Sequence, residues 1–403
     1  MTYRQGRRFS PKNTSFRGKR TFGTKRKFEK ENIDPSKFIK KAVTEEVSSY
    51  EASHTFSDFS FVPSLSEKLS LKGFTAPSPI QDQTIAPALE GRDIIGIANT
   101  GTGKTLAFAL PILHKLLTDR KAHTLILAPT RELAEQIFTQ CVDLLEGERI
   151  HHALLIGGVP IRKQLKDLSY RPRLVIGTPG RVKDHIERET IALRFFNLFV
   201  LDEVDRMLDM GFVKDIRLIM EDLSQTRQSF FFSATMDKRV RTLIDEFSND
   251  PLYISVKTGT TTDQVEQNVI HYSTVEEKIE KLEAVLEANA TGKFLIFEET
   301  KRSVERLGKD LLSKGFLADS MHGDKSQSQR KQILKKFRIG RTRILVATDV
   351  AARGIDIADI THIINYTTPQ TYSDYVHRIG RAGRAGKKGY ALTFLPTKKT
   401  YSR

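Results

Sequence analysis

The chain has 403 residues, room for two ordinary domains and a tail. Its single cysteine, Cys141, excludes a disulfide framework or a zinc site and fits a reducing compartment. Net charge is +16, of which +11 falls in residues 1–41 (14 Lys or Arg against 3 acids), leaving +5 for the other 362 residues.

In chain order, residues 1–53 read as a basic, largely disordered tail. Lysines and arginines are interleaved with Gly, Ser and the aromatics Tyr3, Phe9, Phe16, Phe22, Phe28 and Phe38, with too little apolar surface to offset the entropy of ordering. That mixture suits weakly specific electrostatic binding to nucleic acid, and a plain solubilising tail is the alternative. Asp34-Pro35 opens a short capped helix. The start lacks a signal-peptide core, and no apolar run reaches the ~18 residues of a membrane span. Its shortage of acids faintly resembles an organellar transit peptide, but Gly and Pro spoil the amphipathic helix, so a cytoplasmic location is expected.

From about Phe56, apolar runs alternate with amphipathic helical stretches. Asp93–Ile97, Thr124–Ala128, Leu174–Gly177, Leu198–Leu201 and Phe230–Phe232 are continuous rather than alternating, which predicts parallel strands covered on both faces. Each ends in a polar or Gly-rich loop, and open α/β sheets bind ligands beyond the carboxyl ends of their strands. The polar stretch Val256–Asp263 suits a hinge. A second set follows: Phe294–Phe297, Ile344–Ala347, His362–Tyr366 and Tyr390–Phe394. The expectation is two similar α/β domains, 54–256 and 264–403, joined by a linker at 257–263 and facing each other across a cleft.

Three groups of residues carry chemistry. Ala98, Asn99, Thr100, Gly101, Thr102, Gly103, Lys104 and Thr105 form a phosphate-cradling loop, although Ala98 stands where the general pattern has Gly. The glycines let backbone N–H groups approach phosphate oxygens, Lys104 reaches the β and γ phosphates, and the Thr105 hydroxyl ligates magnesium. Asp202 and Glu203 follow an apolar strand. Asp202 would hold the metal, partly through water, and Glu203 would position and deprotonate an attacking water; the bland alternative is a helix start decorated with acids. Arg381 and Arg384 lie three apart, on one face if the segment is helical, and suit arginine fingers. Alone they would read as a basic turn for any phosphate backbone. Together the three groups point to nucleotide hydrolysis.

Taken in order, these residues resemble the DEAD-box family of ATP-dependent RNA helicases, in helicase superfamily 2, from about Phe56 to Phe394. The resemblance implies two RecA-like domains, each a mostly parallel sheet flanked by helices, across an ATP cleft. It implies RNA-stimulated ATP hydrolysis coupled to local, non-processive unwinding of short duplexes and remodelling of RNA–protein complexes. Phe74-Thr-Ala-Pro-Ser-Pro-Ile-Gln81, with Phe56 upstream, resembles the family's Q motif, which implies that Gln81 bonds the adenine edge and Phe56 stacks on the ring. Pro129, Thr130, Arg131, Gly157, Gly158, Thr178, Pro179, Gly180 and Arg181 resemble RNA-backbone contacts of the first domain, and Gln327 through Arg330 with Thr348 those of the second. Ser233-Ala234-Thr235 resembles the motif linking hydrolysis to unwinding. Gly354 and Asp356 match nucleotide-touching positions, and His377, Arg378, Arg381 and Arg384 match the motif that completes the ATPase site.

The departures are few. Val204 stands for Ala in the namesake motif, and Phe297-Glu298-Glu299-Thr300 replaces Phe-x-Asn-Thr, setting two carboxylates near the expected RNA path. The chain stops soon after the last strand, where relatives commonly add a closing helix. Expected ligands are ATP, Mg2+ and single-stranded or short duplex RNA, on a monomer. Two rival readings remain: an RNA chaperone or scaffold with an idle core, and a DNA translocase. His151-His152, His322-Gly-Asp324, Met207 and Met210 read as structural.

Overall fold

The computed structural model describes residues 33–42, 50–99, 101–256, 264–352, 357, 359–383 and 388–397. The tail through residue 32, the linker 257–263, Thr100, Gly354, Asp356 and Arg384 lie outside the described residues.

Among the described residues, thirteen strands form two sheets. The first has seven: β1 (Ile94–Ile97), β2 (Thr124–Leu127), β3 (His152–Leu155), β4 (Leu174–Gly177), β5 (Leu198–Asp202), β6 (Gln228–Ser233) and β7 (Leu252–Ser255), in the order β3-β4-β2-β5-β6-β1-β7. The second has six: β8 (Val265–Tyr272), β9 (Phe294–Phe297), β10 (Ala318–Met321), β11 (Ile344–Ala347), β12 (His362–Asn365) and β13 (Gly389–Pro396), in the order β10-β11-β9-β12-β13-β8. Every pairing within them is parallel. Parallel neighbours need crossover helices, and these cover both faces of each sheet.

The pleat then sorts the core. Phe230 and Phe232 enter one layer with Phe108, while Phe231 enters the other with Phe199. In the second domain Leu295 and Phe297 face one layer, Phe294 and Ile296 the other.

The nine runs predicted from sequence are the nine interior strands. The four that escaped, β3, β7, β8 and β10, are the four sheet edges. An edge strand meets solvent, so its sequence mixes polar with apolar residues; β3 alternates half-buried with buried and β7 keeps one buried residue.

Two other expectations change. The tail's last part is built into the fold: Asp34 caps a 3-10 helix, Pro35–Phe38, and Phe38 is fully buried in the second domain's core. Tyr50 and Ser53 bond to Asp82 of the first domain. The basic count of residues 1–41 had masked a single well-placed aromatic. In addition, the helix Tyr372–Ile379 ends with Gly380 as its cap, so Arg381 lies just past the helix. Among the described residues, no helix is long and apolar enough to cross a membrane.

Candidate functional site

One wall of the candidate site is assembled at the carboxyl ends of β1 and β5. Gly101 and Gly103 take positive φ (84° and 94°), and a Cβ on Gly103 would lie 2.5 Å from Gln81 Nε2. Gln81 occupies that space: its Nε2 donates to Gly103 O at 3.0 Å, while its Oε1 accepts from Ser78 N at 2.9 Å. Lys104, 6% exposed, donates to Ala98 O at 2.8 Å, and Thr102 Oγ1 donates to Asn99 O at 2.8 Å. Ala98 tolerates its side chain because the methyl packs into the core.

Asp202 closes β5 and is 3% exposed. Burial pushes its carboxyl up to about 7, against the pull of the Lys104 ammonium. Glu203 is left-handed, φ 55° and ψ 54°, at the start of the helix Val204–Asp209. A non-glycine residue held there is strained by roughly 1–3 kcal/mol, and such strain clusters at functional sites. A cleft of about 280 Å³ brings together Phe74, Gln81, Gly101, Gly103, Lys104, Thr105, Asp202, Glu203 and, from the second domain, Arg381. Phe56 is buried edge-to-face against Phe74, with centroids 6.3 Å apart, so the ring on the cleft lining is Phe74.

Asp205 was not singled out from sequence, though it is the last letter of the acidic motif. Its Oδ2 accepts from both Thr235 N and Thr235 Oγ1 at 3.0 Å, and its own N–H donates to Ser233 Oγ at 3.4 Å. Ala234, half-buried, sits between these partners. The acidic motif and the Ser233–Thr235 loop therefore form one hydrogen-bonded unit.

Across the cleft, Arg378 is locked inside the second domain. Its Nε and Nη2 donate to Asp349 at 2.6 Å each, and its Nη1 donates to Asn365 and to Thr367 O. His377 and Arg381 share a small pocket with Arg206, which reaches Asp374 at 3.6 Å from the first domain.

A second depression, a groove of about 640 Å³, is lined by Pro129, Thr130, Arg131, Gly157, Thr178, Gly180 and Arg181 of the first domain and by Gly323, Arg330 and Val350 of the second. Thr130 caps the helix Arg131–Leu144 by accepting from Leu133 N. Gly158, with φ 78°, lies under Arg131; a Cβ there would stand 2.4 Å from Arg131 Nη1. Pro179 is buried in the first turn of the helix Pro179–Glu187, and Thr348 is half-buried beyond β11, so both support the groove without lining it. Arg330 pairs with Glu132 at 2.8 Å, both side chains under a tenth exposed, and burial pushes the Glu132 carboxyl above its usual range despite that arginine. Lys331 and Gln327 converge on Glu135 at 3.0 and 3.3 Å.

Lys183, Phe212 and Gly323 also line the groove, and sequence reasoning missed them. The signal for Gly323 was the His322-Gly-Asp324 triplet, read as an ordinary loop. Glu298, which read as an obstacle to phosphate, accepts from Thr367 Oγ1 and from Glu299 N, so its carboxylate is engaged within the domain.

Residues 78–243 match the DEAD/DEAH box helicase family, and residues 277–386 the helicase conserved C-terminal domain. ATP-dependent RNA helicase CshA of Listeria monocytogenes is 42% identical over 352 residues, 86% of this chain and 67% of that protein. Among solved structures, S. cerevisiae Dbp5 bound to RNA and ADP BeF3 superposes with a TM-score of 0.75 at 29% identity, covering 85% of this chain and 90% of its own. Mss116p bound to ssRNA and AMP-PNP gives 0.77 at 28% identity, covering 86% and 76%.

Proposed function

This chain belongs to the DEAD-box family of ATP-dependent RNA helicases, and from that premise we propose that it opens short RNA duplexes locally by closing its two domains on ATP and one RNA strand. In this reading residues 54–256 are the ATP-binding domain and 264–403 its partner. The observation that carries it is Arg381 of the second domain on the same cleft as Lys104, Asp202 and Glu203 of the first.

Adenine selection falls to Gln81. An amide offers two donors and two acceptor positions. One of each serves Gly103 O and Ser78 N, which leaves one donor and one acceptor for the adenine edge. Against guanine those groups would be left unpaired, and buried unpaired groups discriminate strongly. Phe74 supplies the flat contact, backed by Phe56. Asp356 and Gly354 would complete the nucleotide contacts from the second domain.

The Thr105 hydroxyl and the Asp202 carboxylate fit magnesium: both are hard oxygen donors on one cleft, and burial, with the Glu203 and Asp205 carboxylates beside it, raises the Asp202 carboxyl, as befits a group that a cation would offset. Held there by Thr105 and Asp202, it would supply positive charge to offset the phosphate oxygens. Lys104 exchanges Ala98 O for phosphate. Glu203 orients the attacking water and takes its proton. Arg381, with Arg384, offsets charge developing on the transferred phosphoryl group as the domains close. His377 steadies that wall.

Thr130, Arg131, Thr178, Gly180, Arg181 and Arg330 grip one strand by its backbone, with Gly158 and Thr348 behind them, which positions RNA without reading sequence. A strand bent across both domains cannot stay paired with its complement. Asp205, tied to Thr235, links that grip to the hydrolytic acids. Phosphate release reopens the cleft. The basic tail adds nonspecific RNA affinity.

Glu203→Gln tests the assignment. RNA-stimulated ATP turnover should fall about 10²–10⁴-fold, the usual contribution of a general base, while ATP-dependent retention of RNA persists. Normal turnover in that variant would overturn the reading.

A further inference from the structure

Gly323 faces the groove from the second domain, on the loop that joins β10 to the helix Gln327–Arg338, which carries Arg330. The loop is fastened by Glu305, a half-buried residue of the helix Lys301–Ser313 with no part in the hydrolytic chemistry. Glu305 Oε2 accepts from Ser320 Oγ at 2.6 Å and from Lys325 Nζ at 2.8 Å, and meets His322 Nε2 at 3.1 Å. His322 Nδ1 accepts from Asp324 N at 3.4 Å, which leaves Nε2 to carry the hydrogen that Glu305 accepts.

One carboxylate oxygen therefore ties down β10 and both ends of the loop. Lys325 first, and Ser320 next, hold the Glu305 carboxyl down at about 2 against the pull of burial. The helix lies close on β10: a Cβ on Gly308 would stand 3.0 Å from Ser320 Cβ. One turn earlier on the same face, Lys301 pairs with Asp324, but both are exposed, and such pairs contribute little. Glu305 is the inner fastening. Directly after Lys325, Ser326 caps the next helix by accepting from Gln329 N. The fastened loop thus sets where that helix begins, and with it where Arg330 stands.

We propose that Glu305 is a positioning residue for RNA: by clasping Ser320, His322 and Lys325 it fixes the backbone of Gly323 and the start of the Arg330 helix where the groove meets the phosphates of a strand. This role deepens the proposed function and rests on the groove being the RNA path. Glu305 stands behind the groove lining rather than in it, so it acts through the loop. Simple electrostatics predicts the opposite sign. A carboxylate beside a phosphate path repels the strand, and one that engages Lys325 withholds a cation from it. Removing such a group would tighten binding and steepen its salt dependence. Removing a positioning residue weakens binding.

The deciding variant is Glu305→Gln, with Ser320→Ala beside it as a change that alters no charge. Retention of a labelled single-stranded RNA by the full chain, with a non-hydrolysable ATP analogue, measures the grip. Glu305→Gln should weaken it about tenfold, the scale of one charge-assisted hydrogen bond, and Ser320→Ala about threefold. Affinity for the analogue without RNA should stay within about twofold of the parent. Amide exchange over residues 322–326, measured without RNA, should quicken about tenfold in Glu305→Gln while that of the interior strand β9 stays as it was.

Tighter retention with a steeper salt response would show that Glu305 only withholds charge, and would overturn the proposal. Unaltered retention with a lowered melting temperature would overturn it too, leaving Glu305 an ordinary structural carboxylate. Failure of the functional reading looks different: the parent itself would retain no RNA with the ATP analogue, and the role given to Glu305 would fall with it.

Discussion

The two domains meet along two seams, and the seams are built differently. On the groove side, Arg330 and Glu132 form a 2.8 Å pair with both side chains under a tenth exposed, and Lys331 and Gln327 converge on Glu135 beside it. On the nucleotide side, Arg206 reaches Asp374 only at 3.6 Å, and Arg381 borders a cleft of about 280 Å³. The groove seam supplies its own counter-charges. The nucleotide seam keeps its volume for a ligand. In the proposed function, registration of the domains falls to one seam and the chemistry of closure to the other.

The strongest way to break this comparison is Arg381→Ala. If that arginine offsets transition-state charge, RNA-stimulated turnover should fall about 10³–10⁵-fold. Phosphate release at saturating RNA measures it, and a loss below tenfold would remove Arg381 from the chemistry. Next in size is Glu132→Gln. It leaves the Arg330 guanidinium buried opposite a neutral amide, and removing one partner of a buried pair costs about 3–5 kcal/mol. Retention of RNA by the complex with a non-hydrolysable ATP analogue should weaken about 10²–10³-fold. Unaltered retention would mean that the groove seam does not set registration.

Gln81→Ala comes third and probes the nucleotide seam alone. Losing its hydrogen bonds should raise the ATP KM about tenfold, on the order of one or two bonds. It should also bring the ATP and GTP specificity constants close together, because the groups that penalise guanine are gone. A preserved preference for ATP would assign adenine reading to other residues.

The same contrast explains what sequence could and could not reveal. Interior strands such as Phe230–Phe232 are legible because both faces are covered and nearly every residue is apolar. Edges such as Ala318–Met321 carry Asp319 and Ser320, and no periodic signal survives that mixture. Gly103 and Gly158 stand out in sequence as loop glycines, but the side chains that demand them, Gln81 and Arg131, are distant in the chain. Arg381 was legible as chemistry and not as geometry, since two glycines flank its Arg-Ala pair and the helix stops at Ile379. Phe38 was hidden for a different reason. A lone aromatic in a basic stretch, followed by Lys40 and Lys41, shows no apolar periodicity, and its core neighbours Tyr375 and Val265 lie more than two hundred residues away. Burial that depends on a distant partner leaves no local pattern.

The smallest expected effect sharpens the comparison most finely. Arg206 is 5% exposed and Asp374 20%, with 3.6 Å between their charged atoms. That separation is too long for a hydrogen-bonded ion pair, so the interaction is Coulombic and partly screened. Its coupling should therefore resemble that of weak pairs, about 0.5–1 kcal/mol. A double-mutant cycle on Arg206→Gln and Asp374→Asn, read as RNA retention with the ATP analogue at low and at high salt, isolates the pair from its neighbours. The coupling should shrink as salt rises, unlike that of Glu132 with Arg330, which burial shields. Equal coupling and equal salt response at both pairs would erase the distinction between the seams, and registration would then be shared along the whole interface.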